Sequence, residues 1–346
     1  MQIPAGMRQE LPLVTVVMPV YNQAEFVRQA VDSALGQTFT NLQVIVINDG
    51  SADGTGEVLR GITDPRLLVV EQANAGPFRA TNRGLRLAAG RYIAFLDGDD
   101  VWLPEMVAEH AGVLESRPGI DLTFSSSRII TESGDDTGHI MRAKAGPVAF
   151  RDLLIENVIG NGSAAVVRRE ALERGGVTFD TTLGAAADSD FWVRVALLRP
   201  NNVWGIPRVL TLYRRRQGQM TKDWRALEQS HALVLEKMRR LAPSQFRTVE
   251  NSWRASRRRF LAVVNYEQGD CSAARKLLFE AFRKAPLFLL RDHRAWSLAA
   301  ALVSAGMLPQ AGHRALQRSF RTLLVKRERW RSRPTRCTGL EQPRRW

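Results

Sequence analysis

The chain has 346 residues, 45% of them apolar and 24% charged, and a formal net charge of +14. Such a length buries a sizeable core in a larger and a smaller domain, and the composition excludes a disordered, collagen-like or disulfide-dense chain. No run of about 18 apolar residues is present, and residues 1–11 lack the basic-then-apolar order of a signal peptide, so a cytoplasmic protein is expected. The charge is uneven: residues 312–346 hold 11 Lys/Arg against 2 acids and so carry +9 of the total. Such a tail is either a solvated end or a contact with an anionic membrane surface, which would make the protein peripheral on the inner face of a membrane. It lacks the aromatic interleaving that stacks on bases, so no nucleic acid partner is expected. Cys271 and Cys337 match no metal or redox spacing.

Val14-Thr15-Val16-Val17-Met18-Pro19 predicts a first strand closed by a proline, feeding a loop of Val20, Tyr21 and Asn22. Phe26, Val27, Ala30, Val31, Ala34 and Leu35 recur at helical spacing, which predicts an amphipathic helix over 25–36. A second strand over 42–47 ends in Asn48-Asp49-Gly50-Ser51. Strand, helix and strand in this order define a βαβ unit and a parallel sheet. The pattern repeats with a strand over 67–70, a helix over 76–89 and a strand over 91–96. Asp49 and Asp97 therefore both stand at carboxyl ends of strands, where open α/β sheets bind ligands.

The third of these strands runs directly into Asp97-Gly98-Asp99-Asp100. In extended chain Asp97 and Asp99 project from the same side and can share one hard cation, Mg2+ or Mn2+; in isolation the segment reads more readily as a solvated turn. Pro104 marks the start of a helix. Residues 120–150 turn to Ser, Thr, Gly and Asp and predict a partly antiparallel segment lining an acceptor site. A helix over 150–157, a strand over 164–167 and helices over 168–173 and 188–198 follow, with Asp188 in the first turn of the last, where the helix dipole favours a carboxylate. Beyond Tyr213-Arg214-Arg215-Arg216 the pattern is helical over 224–241, 251–266 and 273–282. The piece 262–286 looks like one helix pair of a tetratricopeptide-type repeat, which cannot bury its own face and must pack on neighbours or on the catalytic body.

Common machines are excluded on residue grounds: the chain has no GxxxxGK[ST], no HExxH and no GxSxG. Gly160-Asn161-Gly162-Ser163-Ala164-Ala165 nominally fits GxGxxA but does not join a strand to a long helix in the first βα unit. None of the five histidines lies in the acidic segments, so neither a zinc site nor a His-based triad is expected. A crevice with Asp49, an Asp97/Asp99 pair and a later carboxylate at Asp188 suits transfer of a group from a diphosphate: a cation neutralises the departing charge and a separate carboxylate deprotonates the attacking hydroxyl. One displacement with the base opposite the leaving group inverts the reacting centre.

Val16-Val17-Met18-Pro19-Val20-Tyr21-Asn22, Asn48-Asp49-Gly50-Ser51-Ala52-Asp53-Gly54-Thr55, Asn74-Ala75-Gly76-Pro77 and Phe95-Leu96-Asp97-Gly98-Asp99-Asp100, in this order, resemble the motifs of family 2 glycosyltransferases. The resemblance implies a GT-A type α/β fold, Rossmann-like with a mostly parallel sheet flanked by helices, over 13–222. An N-terminal tail over 1–12, a helical extension over 223–311 and the basic tail over 312–346 complete the division. It further implies an inverting transfer from a nucleotide diphosphate sugar, with UDP preferred, to a glycan or lipid-linked acceptor in cell-surface polysaccharide, lipopolysaccharide or glycoconjugate synthesis. Pro19, Tyr21, Asn22, Asp49, Asn74 and Gly76 would hold the nucleotide sugar, Asp97 would sit near ribose and cation, and Asp99 would bind Mn2+ or Mg2+. Asp188-Ser189-Asp190-Phe191-Trp192-Val193-Arg194 resembles the family's base-bearing segment, which makes Asp188 the base.

Two positions depart from the pattern. Ala187 stands where the family often has Glu, and Arg216 where it often has a histidine that helps bind ion or diphosphate. Arginine cannot ligate a cation but can hold a phosphate oxygen, so Arg216 is expected in the donor site. The same two departures favour an alternative, a non-catalytic scaffold on a degenerate transferase domain.

Overall fold

A computed structural model describes residues 13–216 and 223–307; the predicted tails at 1–12 and 312–346 lie outside the described residues. In chain order the first half runs β1 (Val14–Val20), α1 (Val27–Leu35), β2 (Leu42–Asp49), α2 (Thr55–Arg60), β3 (Leu67–Gln72), α3 (Pro77–Leu87), β4 (Tyr92–Phe95), β5 (Val101–Trp102) and α4 (Met106–Ser116). It continues with β6 (Leu122–Ile130), β7 (Asp136–Met141), β8 (Gly146–Pro147), α5 (Phe150–Ile155), β9 (Ala165–Arg168), α6 (Arg169–Gly175), α7 (Ala187–Leu197) and β10 (Val203–Arg214). Five helices follow: α8 (Trp224–Leu241), α9 (Pro243–Glu267), α10 (Cys271–Lys284), α11 (Pro286–Leu290) and α12 (His293–Met307).

One sheet has the order β3-β2-β1-β4-β9-β6-β10-β5, with β7 beside β6 and β8 beside β10. β3, β2, β1 and β4 are parallel to one another, as the repeated βαβ pattern requires. β9 enters antiparallel between β4 and β6, and β10 runs parallel to β6. Strands covered on both faces become near-continuous apolar runs, and β1 and β2 are buried along almost their whole length. The 120–150 segment is only partly antiparallel. β7 pairs with β6 in that sense, but β6 itself is a buried interior strand.

Helices cover both faces. α1 buries Val27, Ala30, Val31 and Ala34 at the predicted spacing against an apolar layer that also holds Leu59 of α2 and Met106 of α4. The opposite layer centres on aromatic rings: Phe179 and Phe191 stack with centroids 4.0 Å apart, and Phe95 meets Phe179, Phe191 and Trp192 edge-on.

The C-terminal helices belong to this second core. Val234, Leu235 and Met238 of α8 and Phe246, Val249 and Trp253 of α9 join the cluster that contains Phe95, Phe191 and Trp192. A separate cluster ties α9, α10, α11 and α12 together. Charge fixes the same junction. Lys237 of α8 reaches Asp180 (2.6 Å) and Asp190 of α7 (3.0 Å). Glu156, just past α5, accepts from Ser256 Oγ (2.9 Å) and Arg259 (2.7 Å) of α9 and from Arg294 of α12 (2.8 Å). The face that the pair over 262–286 cannot bury alone is thus covered by α11 and α12, while α8 and the first half of α9 pack on the sheet domain.

Trp253, 4% exposed, is the test of that shared core. Trp253→Ala should lower stability by about 3–5 kcal/mol, read from urea unfolding, with the sheet and the helices melting in one transition. Separate transitions would mean that the extension folds independently.

Candidate active site

Loops leave the carboxyl ends of β1, β2, β3 and β4 side by side and are tied to one another. After β1, Asn22 adopts a left-handed backbone with φ +50°, which asparagine tolerates better than most residues. Its amide donates to Ser51 Oγ and its Oδ1 accepts from the Ala52 amide, both at 2.9 Å. The Gln23 amide donates to Thr55 Oγ1 (2.8 Å) and the Ala24 amide to Asp53 Oδ2 (3.1 Å). Tyr21 is exposed beside this brace, and Pro19 is half-buried in β1.

Asp49 is buried at the end of β2. Its Oδ1 accepts from Gln72 Nε2 (2.6 Å) and the Ala75 amide (2.9 Å), and its Oδ2 from the Gly76 amide (2.8 Å). The carboxylate therefore clamps the loop between β3 and α3, in which Asn74 is exposed. Gly76 turns that loop into α3 at φ +93°, a conformation costly for any side-chain-bearing residue.

Asp97-Gly98-Asp99-Asp100 is not extended. β4 ends at Phe95, and the Asp100 amide closes a turn on the Asp97 carbonyl at 3.1 Å. Packing dictates the turn: a Cβ on Gly98 would lie 2.2 Å from Gln23 Oε1 and 2.6 Å from Val20 Cγ1, so the chain is drawn against the β1 loop where only glycine fits. Asp97 and Asp99 consequently part. Asp99 is buried and its Oδ2 accepts from Arg216 Nε at 2.6 Å, while Asp97 meets solvent. Arg214 braces the same turn, with its amide on Asp100 Oδ1 and its Nε on the Asp99 carbonyl, both at 2.8 Å. Asp100 Oδ2 is buried and accepts no hydrogen bond.

Ser163, to which the sequence gives only a weak role, pins this turn to the far side of the sheet. Its Oγ accepts from the Asp97 amide (3.0 Å), and its carbonyl accepts from Trp102 Nε1 (2.6 Å). The Gly160–Ala165 stretch that nominally fits a dinucleotide fingerprint is therefore a support for the acidic turn.

Asp188 opens α7 with Oδ1 on the Ser189 amide (2.6 Å) and Oδ2 accepting from Asn157 Nδ2 (2.9 Å). Two residues on, Asp190 is fully buried and bound by Arg194 and Lys237, so the two acids of this segment have separate tasks. Withdrawal from bulk solvent, then the charges of Asp99 and Asp188, raise the Asp97 carboxyl to about 7, although its side chain reaches the open mouth. Burial likewise pushes Asp188 up and Asp100 well up. Asp97 thus feels the charges of Asp99, Asp188 and Arg216, while Asp49 serves the neighbouring loop. Asn157 and Arg257, which the sequence reading did not single out, act on Asp188 as a hydrogen-bond donor and a nearby positive charge.

Residues 15–176 match the model of Glycosyl transferase family 2, and over this part the chain is similar to that family. The sheet and its flanking helices have the GT-A type fold of the solved structures below. Among curated proteins, the uncharacterized glycosyltransferase EpsJ of Bacillus subtilis is 28% identical over 223 residues, covering 61% of this chain and 64% of EpsJ. The chain thus spans less than two thirds of EpsJ's length, and the next three relatives are covered over only 14% to 35% of theirs. Of solved structures, S. aureus TarS 1–349 superposes with a TM-score of 0.57 at 16% identity, covering 93% of each chain. The mannosyltransferase PcManGT of Pyrobaculum calidifontis gives a TM-score of 0.59 at 22% identity, covering 94% of this chain and 89% of its own. The shared fold extends into the C-terminal helices.

The raised carboxyls set a pH dependence. With a folded value near 7 against an ordinary 3.8, Asp97 adds stability that is full below about pH 4 and is lost as pH rises toward 7, and Asp100 and Asp188 act with the same sign. Thermal unfolding without divalent cation should therefore show stability falling across this window. Asp97→Asn should reduce the slope; an unchanged slope would assign it to other groups.

Proposed function

We propose that the chain is an inverting glycosyltransferase that moves a sugar from a nucleotide diphosphate sugar, with UDP-sugars preferred, to a hydroxyl of a glycan or lipid-linked acceptor in the synthesis of cell-surface polysaccharide or glycoconjugate. One observation carries this reading: at the carboxyl edge of the parallel half of the sheet, where such sheets bind ligands, Asp99 is ion-paired with Arg216 (2.6 Å) and Asp97 feels the charges of Asp99, Asp188 and Arg216. TarS 1–349 was solved with UDP-GlcNAc and PcManGT with GDP-Man and Mn2+, which supports a nucleotide-sugar donor and a divalent cation here.

In this reading Pro19, Tyr21, Asn22, Asn74 and Gly76 frame the nucleoside, and Asp49 holds the loop that carries Asn74 and Gly76. Among the described residues no three His, Cys, Asp or Glu side chains converge to hold an ion. The protein would therefore supply one or two carboxylates, a donor set suited to Mg2+ or Mn2+ held jointly with phosphate oxygens. Asp97 and Asp99 would hold it, and Arg216, the partner of Asp99, would hold a phosphate oxygen. When bound, the cation neutralises charge on the departing diphosphate. Asp188 would accept the proton of the attacking hydroxyl, and its raised pKa makes it a stronger base than a free carboxylate.

No helix among the described residues is long and apolar enough to cross a membrane. Exposed Leu287, Leu290, Trp296 and Val303 on α11 and α12, together with the basic tail, support a peripheral seat on an anionic surface.

Asp188→Asn should slow transfer by about 10²–10⁴-fold while donor affinity, read from thermal stabilisation by the nucleotide sugar, stays within a few-fold. A fully active variant would remove Asp188 from the base role. Chelation should abolish both transfer and the added stabilisation by donor, and Mn2+ or Mg2+ should restore them; chelator-resistant transfer would sink the cation assignment.

A further inference from the structure

A cavity of about 490 Å³ opens between α8, α9 and α10, apart from the acidic cleft. Five cations line it, Arg254, Arg257, Arg258, Arg283 and Lys284, against two acids, Glu228 and Glu280. Both acids are already engaged by Arg258, and Arg254 pairs with Glu250 outside the cavity (2.9 Å). Arg257, Arg283 and Lys284 are thus left without an ion pair among the described residues. Arg257 lies over the Trp253 ring, 5.4 Å from its centroid, and its Nε is buried without a hydrogen bond. His231, 8% exposed on the same wall, presents a buried Nδ1 that is also unpartnered. Two unsatisfied buried nitrogens, on Arg257 and His231, facing one space are costly unless a polar partner completes them, and the exposed Arg283 and Lys284 at its rim favour an anionic one.

The cavity is joined to the transferase site by a short chain of contacts. Ser256 and Arg259, on either side of Arg257, bind Glu156; the next residue, Asn157, holds Asp188. The Arg257 guanidinium in turn feels the charges of both Glu156 and Asp188. An anion seated on Arg257 would therefore share that guanidinium's charge with Asp188, the carboxylate proposed above to receive the acceptor's proton.

We infer that this cavity binds a phosphate group borne by the acceptor, so that the substrate glycosylated is a phosphate-bearing polyhydroxyl compound with its attacking hydroxyl directed to Asp188. This rests on the transferase reading above and specifies its acceptor class. The helical extension then supplies the acceptor half of the site, and guanidinium groups suit phosphate because they bind two of its oxygens at once.

The test uses the full chain, with inorganic phosphate as the first probe and glycerol phosphate against glycerol as acceptors. Inorganic phosphate should bind the wild type, by calorimetry, at least tenfold more tightly than R257Q. The double variant R283Q/K284Q, whose side chains are exposed and whose fold is not at stake, should bind severalfold more weakly than wild type. The wild type should prefer glycerol phosphate to glycerol in kcat/KM, and that preference should fall at least tenfold in R257Q. Equal phosphate binding by wild type and both variants would overturn the site, as would equal use of the two acceptors by wild type. Binding of phosphatidylglycerol vesicles through Arg283 and Lys284, with no binding of free phosphate, would overturn it in favour of a lipid headgroup. A wild type that turns over no nucleotide sugar would instead refute the transferase reading, and the phosphate titration would still decide the cavity.

Discussion

The structure depends on how one short turn carries its charge. Asp97, Asp99 and Asp100 lie within four residues, with two of the three buried, and neighbouring carboxylates in poor solvent raise one another's pKa and disfavour the compact turn. Two arginines offset this, and neither comes from nearby in sequence. Arg214 and Arg216 arrive at the end of β10, more than a hundred residues later, with a side-chain bond to Asp99 and main-chain bonds to Asp99 and Asp100. Charge-assisted hydrogen bonds of this kind contribute about 1.5–3 kcal/mol each. The position of β10 beside β6 is therefore a requirement of the acidic turn as much as of the sheet.

A second arrangement follows from the first. With Arg216 paired to Asp99, the positive charge near Asp188 comes from α9. Arg257 approaches Asp188, Arg259 and Ser256 fix Glu156 beside it, and Lys237 of α8 neutralises Asp190 at the start of α7. The absence of an acid at Ala187 is in keeping with a site whose tuning charge is contributed by the extension. A packed aromatic core that runs from Phe95 to Trp253 gives these side chains the rigidity that positioning demands.

Much of the transferase half was legible in the chain itself. β1, β2, β3 and β4 read as strands because covered parallel strands are continuous apolar runs, and the acids at their ends stand out against that background. α2 was missed because it is a single short turn-and-a-half between Gly54 and Gly61. β10 was missed because Gly205, Pro207 and Arg208 interrupt its pattern, and the structure shows register shifts between Ile206 and Thr211. Asp49 was read as a ligand-facing acid, and the structure adds that its oxygens hold Gln72, Ala75 and Gly76; the sequence gives no sign of that bracing because its partners lie more than twenty residues away.

The sequence by itself determined the order of the βαβ units, the parallel half of the sheet and the acidic residues at its carboxyl edge, because hydrophobic period and turn chemistry are local. Only the tertiary structure decided that Asp97 and Asp99 part across a turn, that Arg216 pairs with Asp99, that Asp188 and Asp190 take different partners, and that α9 brings Arg257 to Asp188. Each of these is a meeting of residues distant in sequence or a choice between chemically identical side chains. Such choices are set by which surfaces bury together and which charges must then be offset, and neither appears until the chain is folded.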